Sequence, residues 1–441
     1  MSRSYNTMKA APLRTDKSST DNESPAMAPD QNEPPTVEYP DGGTKAWTAV
    51  FGCFCAFFGA LSMMNSIGVY QNWLSTHQLE GYSSGSIGWI FGLYNFLSFF
   101  TGILIGPLFD TKGPKPLSIS GSVLLLLTYV LLGWCSKYWH FMLCFGIMGS
   151  FSTCLLFTAA MGTVQHWFLK RRGLATGLAI CGGSVGGITT PLVLSALLPK
   201  IGFAWAMRAL ALLMVPFVGC GILLMRGRNQ DISTMPKSIL PDITVLWEPR
   251  KGALTVAALF IELGLFIPMT YVASFAISHE MSSEVAYRTV TLMNVGSLIG
   301  RWLPGWLGDK LGRFNMLNIA LALCIVSIFG IWLPPTGAST AGLTAFAVIF
   351  GIGSGSGISL LPVCIGQLCE TENYGKTFTA VYSLGSIGSL IGVPLGGQIL
   401  EAAKGDYMWL IIFSGAAYVV AFGSLTAVRI MSAGAKGFTK F

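Results

Sequence analysis

The residues best placed to do chemistry are two charged side chains inside long apolar stretches. Glu262 lies about eleven residues into the run 252–278, and Arg301 lies near the end of the run 286–307. Burying a charge is expensive, so each is a candidate functional residue. Arg301 suits a carboxylate, which a guanidinium binds through two parallel hydrogen bonds, and Glu262 is a candidate proton carrier. The competing interpretation is a fixed ion pair of Arg301 with Glu262 or Asp309.

Neutral polar side chains offer further contacts near the same depth. Asn65, Tyr271 and Asn294 are candidate substrate-binding residues, and Asn95 is a weaker one. Together with abundant Phe, Trp and Met, they favour a larger amphipathic molecule as ligand. Each of them serves equally well as a hydrogen bond between packed helices.

These residues sit in a chain whose composition is that of a membrane protein. Of its 441 residues, 52% are hydrophobic and 11% are charged, whereas a soluble domain carries about 25% charged residues. This excludes a purely soluble enzyme, a collagen, a coiled coil and a disordered chain.

Twelve apolar stretches follow one another, each long enough to cross a bilayer. They are too long and too continuously apolar for barrel strands, so we expect an all-α polytopic membrane protein. We number them spans 1 to 12: 46–74, 85–109, 117–136, 139–167, 174–198, 204–225, 252–278, 286–307, 315–334, 340–367, 376–400 and 407–431.

Basic residues predict the orientation of the chain. One set of alternate loops holds thirteen Lys and Arg, and the opposite set holds four. Because basic loops stay in the cytosol, both termini are expected there. We expect a disordered cytosolic tail at 1–44, a cytosolic loop at 227–250 and a short tail at 433–441. The net charge of +7 then reflects topology, and we predict no nucleic-acid partner.

An internal repeat divides the spans into two halves. Residues 106–113, Gly-Pro-Leu-Phe-Asp-Thr-Lys-Gly, return 199 positions later as residues 305–312, Gly-Trp-Leu-Gly-Asp-Lys-Leu-Gly. A Gly-Ser-x-Gly sequence at 183–186 returns at 385–388, after 202 positions. The sequence therefore predicts two pseudo-symmetric six-helix bundles, 45–226 and 251–432. Such a duplication suits alternating access to a site near the membrane midplane.

The cysteines and histidines predict no metal site and no cofactor. The ten cysteines form no paired C-x-x-C set, and the four histidines all stand near predicted loops. We expect the cysteines to be small packing residues.

The repeated loop resembles the signature loop of the major facilitator superfamily. Residues 41–47, Asp-Gly-Gly-Thr-Lys-Ala-Trp, and the stretch 167–177 resemble the monocarboxylate-porter family in its fungal branch. The resemblance implies the major facilitator fold and a substrate-linked arginine at Arg301. It also implies a conformational latch on the cytosolic side, formed by Gly106, Asp110, Gly113, Gly305, Asp309, Gly312 and Arg313.

The sequence also departs from this family. Asn65 stands where lactate-type members carry a lysine, and Ser297 stands where they carry an aspartate. The proton and lactate mechanism of those members therefore does not transfer intact.

These observations predict a secondary transporter that moves a small organic solute across a fungal membrane by alternating access. We expect the solute to be monocarboxylate-like or an amphipathic metabolite. Both proton-coupled transport and transport without protons are compatible with the sequence. Export of a fungal secondary metabolite is the alternative, and a non-transporting nutrient sensor is the alternative from another class. We expect that the protein is not an enzyme. We expect location in the cell membrane, with an intracellular membrane as the other option.

Overall fold

The computed structural model describes residues 40–227, 247–369 and 374–434. The predicted tail at 1–44, the loop at 227–250 and the tail at 433–441 fall largely outside these ranges. The described residues belong to one compact unit. Within the described ranges the secondary structure is helical and contains no strand, which confirms the expected fold class.

Helices cover all twelve predicted spans. In chain order they are Thr44–Asn65 with Ile67–Thr76, Ser84–Phe100 with Gly102–Lys112, Pro114–Leu132, Tyr138–Phe141 with Met142–Gly149 and Ser150–Trp167, Arg172–Leu224, Pro249–Ser278, Ser283–Leu311, Arg313–Ser327 with Ile328–Trp332, Thr340–Ile365, Tyr374–Ala402 and Met408–Ala433. A short 3₁₀ turn, Pro335–Ala338, precedes span 10.

Among the described residues, ten helical segments are long enough and apolar enough to cross a membrane. The long segment Arg172–Leu224 holds spans 5 and 6, because its backbone leaves the helical region at Gly202, with φ of 71°. Glycine adopts this left-handed conformation without a steric penalty. Span 8 is not among the ten, since Arg301, Asp309 and other charges lower its hydropathy. Together these segments account for twelve spans.

The two halves pack their helices in the same way. Gly186 of span 5 lies against the Phe58 carbonyl of span 1, and Gly388 of span 11 lies against the Leu259 carbonyl of span 7. At both places a side chain on the glycine would collide with the neighbouring backbone. Because small residues let helices approach closely in lipid, the repeated Gly-Ser-x-Gly sequence explains the matching contact in each half.

Two pairs of helices join the halves. Ser383 of span 11 donates its hydroxyl hydrogen to the carbonyl oxygen of Phe100 in span 2, at 3.0 Å. Gly177 of span 5 lies against the backbone of Arg301 in span 8.

Candidate functional site

A small cavity lies where the two halves meet. Its volume is about 20 Å³, enough for about one water molecule. The first half contributes residues of spans 1, 2 and 4 to its lining, and the second half contributes residues of spans 7, 8, 10 and 11. The lining residues are Leu61, Met64, Asn65, Phe99, Phe157, Glu262, Leu265, Phe266, Arg301, Ile358 and Tyr382. An organic solute fits only after these walls separate.

Two helix interruptions in the first half flank the cavity. Span 1 breaks at Ser66, where φ is −111° and ψ is 9°, directly after Asn65. Span 2 has a milder irregularity at Thr101, two residues after Phe99, where φ of −67° and ψ of −15° remain right-handed helical. Irregular backbone within a membrane is tolerated where it faces protein or a cavity. In transporters such broken helices commonly lie beside the substrate site.

Arg301 brings a buried positive charge into the cavity. Its side chain is 1% exposed, and its Nη1 donates to the Ile180 carbonyl oxygen at 2.7 Å. Ile180 belongs to the first half, so this bond crosses between the bundles. Gly183 leaves room for the guanidinium, since a Cβ there would lie 2.8 Å from Nη1. The cation of one half is thus held by the backbone of the other.

Glu262 lines the same cavity but does not pair with Arg301. Its side chain is buried, and its Oε2 has no hydrogen-bond partner. No nitrogen of Arg301 comes within 4.0 Å of a Glu262 oxygen. Spans 7 and 8 nevertheless bring the two side chains to one cavity. A fixed ion pair is not present in this conformation, because Arg301 instead bonds the Ile180 carbonyl.

Asp309, the other proposed partner of Arg301, pairs elsewhere. It forms a 3.1 Å ion pair with Arg313, the first residue of the next helix. Both alternative ion pairs of Arg301 are therefore absent from this structure.

The neutral polar candidates occupy different positions. Asn65 lines the cavity and donates its Nδ2 hydrogen to the Gly183 carbonyl oxygen at 2.8 Å. Asn294 lies beside it at Gly187, but its amide bonds Val290 of its own helix at 3.1 Å. The hydrogen bond of Asn294 therefore stays within span 8.

Tyr271 and Asn95 lie outside the cavity lining. The Tyr271 hydroxyl donates to the Val393 carbonyl oxygen at 2.7 Å, which joins span 7 to span 11. Asn95 is fully buried, and neither its Oδ1 nor its Nδ2 has a hydrogen-bond partner. Tyr271 therefore acts in this conformation as a bond between helices.

Aromatic rings form the part of the site that sequence reasoning did not name. Phe99 and Tyr382 approach to 5.4 Å between ring centroids, and Phe157 and Tyr382 to 6.3 Å. Phe266 completes the aromatic wall. The chain has 28 phenylalanines, and nothing in their spacing marks those that face the midplane.

The second copy of the repeated loop connects the two halves on the predicted cytosolic side. The Asp309 carboxylate accepts the backbone N–H of Gly173 at 3.2 Å and of Leu174 at 3.1 Å. Both belong to the first turn of span 5, where a helix favours an anion. Arg313 pairs with Asp309 and also donates to the Leu169 carbonyl oxygen at 3.1 Å.

Two glycines of this copy allow the contact. The Gly305 and Gly173 backbones touch, and a Cβ on Gly305 would lie 2.5 Å from the Gly173 carbonyl oxygen. Gly312 ends span 8 with φ of 99°. The chain reverses there and brings Arg313 back towards Asp309.

The first copy has the same backbone plan. Gly106 lies in the helix Gly102–Lys112, and Gly113 ends that helix with φ of 72°. The Asp110 side chain lies outside the described residues. Its part in a latch stays a prediction.

The segment before span 1 is tied to the loop between spans 4 and 5. The Asp41 carboxylate accepts the backbone N–H groups of Leu169, Lys170 and Arg171, at 2.8, 2.7 and 3.2 Å. Trp47 packs on Phe168 with ring centroids 5.0 Å apart. The sequences at 41–47 and 167–177, which carried the family resemblance, therefore contact each other.

Comparison with known proteins agrees with this arrangement. The family model described as Major Facilitator Superfamily matches residues 51–393. The MFS-type transporter opdF of Penicillium oxalicum is 34% identical over 418 residues, covering 94% of this chain and 96% of the relative. The riboflavin transporter MCH5 of Saccharomyces cerevisiae is 33% identical over 404 residues, covering 87% and 77%. The fujikurins efflux protein of Gibberella fujikuroi is 31% identical over 397 residues, covering 89% and 84%.

A solved structure shares the fold. The human organic anion transporter MFSD10 (TETRAN) superposes with a TM-score of 0.64 at 13% identity. The match covers 87% of this chain and 100% of that one.

Proposed function

The chain belongs to the major facilitator superfamily, and from that premise we propose that Arg301 is the anion-binding residue of a carrier for amphipathic organic solutes. The protein is a membrane transporter of a small organic solute, as its relatives are. The observation that carries the proposal is the combination of a buried guanidinium and an aromatic wall in one cavity between the halves.

The lining indicates what kind of solute is transported. A guanidinium offers a carboxylate two parallel hydrogen bonds, and aromatic rings offer an apolar body a large contact area. The resemblance aligns Asn65 and Ser297 with the lysine and the aspartate of lactate-type carriers. A molecule larger than lactate, with an apolar body and an acidic group, fits this site best. Membership of the monocarboxylate-porter branch remains part of the proposal.

The closed cavity supports transport by alternating access. The midplane site is enclosed in this conformation, and the contacts of Asp309 and Arg313 hold the predicted cytosolic side together. A solute reaches Arg301 only when one side of the interface opens.

Glu262 is our candidate for coupling transport to protons. Its carboxyl group faces the same cavity, and its Oε2 has no partner. A lone buried carboxylate is costly as an anion, so a proton on Glu262 removes that cost. A solute and a proton then share one site.

The location and direction of transport complete the proposal. The excess of basic residues on one side supports a cytosolic location for both termini, and we propose the cell membrane as the location. We infer that the protein has no enzymatic role. Export of a secondary metabolite is the second candidate, supported by the efflux relative from Gibberella fujikuroi. The relative named as a riboflavin transporter supports an organic solute as cargo.

Uptake into proteoliposomes tests the proposal. Labelled short monocarboxylates, riboflavin and a mixed metabolite extract are offered with and without a pH gradient. Arg301→Lys keeps the charge but removes the paired hydrogen bonds, so we expect apparent affinity for the transported solute to fall at least about tenfold.

Arg208→Lys is the matched control. Arg208 lies in span 6, over the Trp205 ring at 4.6 Å from its centroid, and not in the cavity lining. The Arg208→Lys variant should transport the solute as the unaltered protein does. Equal affinities in the two variants would refute the assignment of Arg301. Counterflow of unlabelled solute separates a carrier from a channel.

A further inference from the structure

A groove runs along the outer surface between spans 9 and 12. Its volume is about 330 Å³, and it is lined by Asn315, Asn318, Ile319, Ala322, Phe422, Thr426 and Arg429. Ile319 is 45% exposed. In a protein that spans a membrane, such an apolar side chain within a span faces lipid. The groove therefore opens to the bilayer and not to the cavity between the halves.

The polarity of the groove changes with depth. Arg429 lies four residues before the end of the helix Met408–Ala433, and Asn315 is the third residue of the helix Arg313–Ser327. At ~1.5 Å per residue both lie within about 6 Å of the helix ends. Phe422 and Ala322 stand seven residues further in, roughly 10 Å deeper. The groove thus has a polar end at headgroup level and an apolar end at acyl-chain level.

The polar end is held in place by hydrogen bonds. Asn315 donates its Nδ2 hydrogen to the Leu311 carbonyl oxygen at 2.9 Å and accepts the Nε hydrogen of Arg429 at 2.7 Å. Thr426 donates to Asn318 Oδ1 at 3.3 Å, and no described residue accepts a hydrogen from Asn318 Nδ2. The described residues that line the groove include no carboxylate. Arg429 thus brings a positive charge to the polar end of the groove, and Asn318 has an amide hydrogen to donate.

We propose that this groove binds an anionic phospholipid from the leaflet on the side of the basic loops. Arg429 and Asn318 hold the phosphate, and Ile319, Ala322 and Phe422 contact an acyl chain. Basic pockets between membrane helices on this side bind anionic headgroups, and a guanidinium matches a phosphate bidentately. The polar-to-apolar order follows the lipid from headgroup to chain. This site is separate from the transport site and does not depend on the identity of the solute.

Lipid retention by the full chain tests the proposal. The protein is reconstituted into vesicles of equal parts phosphatidylcholine and phosphatidylserine, extracted, and examined by native mass spectrometry. We expect phosphatidylserine to be retained by the unaltered protein and to be retained about fivefold less by Arg429→Gln. Lys115→Gln removes an exposed charge on the same side outside the groove and should retain phosphatidylserine normally.

A second variant keeps the charge and fills the groove. Ala322→Trp should retain neither phosphatidylserine nor phosphatidylcholine in the groove. Its melting temperature reports whether the variant folds. Equal phosphatidylserine retention by Arg429→Gln and Lys115→Gln would overturn the headgroup assignment. Full retention by a folded Ala322→Trp would overturn the location. A mass increase of one whole chain that Ala322→Trp removes would show that the groove joins two copies and would also overturn the proposal.

Discussion

Replacing Gly177 by Ala is the most direct test of how the halves close. A Cβ at this position would collide with the Arg301 carbonyl oxygen, and the Trp302 Cα lies 3.0 Å away. Both are backbone atoms of span 8, so no flexible side chain can move aside. The collision exists only while spans 5 and 8 are in contact, and separation of the halves removes it. The variant should therefore favour an open conformation.

The size of the shift follows from the cost of overpacking. An extra methyl group forced into a closed interface costs about 1–3 kcal/mol. If that cost applies to the closed state alone, the equilibrium between closed and open forms shifts by about 5- to 150-fold. The fold itself is retained, because span 5 also packs closely on span 1 of its own half, where Gly182 and Gly186 lie against the Phe54 and Phe58 carbonyls.

Cys181, one turn further along span 5, reports the opening. Its thiol is buried at the interface and donates to the Leu298 carbonyl oxygen at 3.5 Å. In a background that retains Cys181 as its single cysteine, the rate of alkylation by N-ethylmaleimide measures how often the interface opens. Gly177→Ala should raise that rate by the factor above.

Gly219→Ala is the matched control. A Cβ at Gly219, in span 6, meets no atom within 4 Å, so the alkylation rate of Cys181 should not change. Equal rates in the two alanine variants would refute the reasoning. So would a Gly177→Ala protein that melts earlier but leaves Cys181 as protected as before.

Two further predictions concern single residues of the second half. Glu262→Gln should abolish the response of uptake to an imposed pH gradient while solute counterflow persists, because glutamine keeps the shape and carries no proton; an unchanged pH response would remove Glu262 from coupling. Tyr271→Phe should lower unfolding stability by roughly 0.5–1.5 kcal/mol through loss of the bond to Val393 and leave the KM of transport unchanged; a KM that rises severalfold would place its hydroxyl on the solute.

The sequence was sufficient to predict the fold because lipid imposes simple rules. Apolar runs of the required length had to be helices, and the repeat at offsets of 199 and 202 had to give similar halves. The boundary between spans 5 and 6 was also correct, although the helix is nearly continuous around Gly202. Span 8 was found despite its charges, since its neighbours and the repeat required a helix there.

The site was predictable only where a charge marked it. Arg301 and Glu262 stood out because charges are rare in spans, and both line the cavity. Asn65, Asn294, Tyr271 and Asn95 are equally buried polar residues, yet Asn65 alone among them lines it. Their rotation about the helix axis decides this, and apolar runs without a polar face do not reveal that rotation. The same reason hid Phe99, Phe157 and Tyr382.

The asymmetry between the halves connects binding to movement. The second half supplies both charges, and the first half supplies the Ile180 carbonyl that holds Arg301. A carboxylate that binds the guanidinium bidentately competes with that carbonyl for the same hydrogens. In the proposed mechanism, binding therefore weakens a contact that holds the two halves together. A ligand shifts a conformational equilibrium only through such a difference in affinity between states. In the proposed mechanism, Arg301 thus links recognition of the solute to separation of the halves.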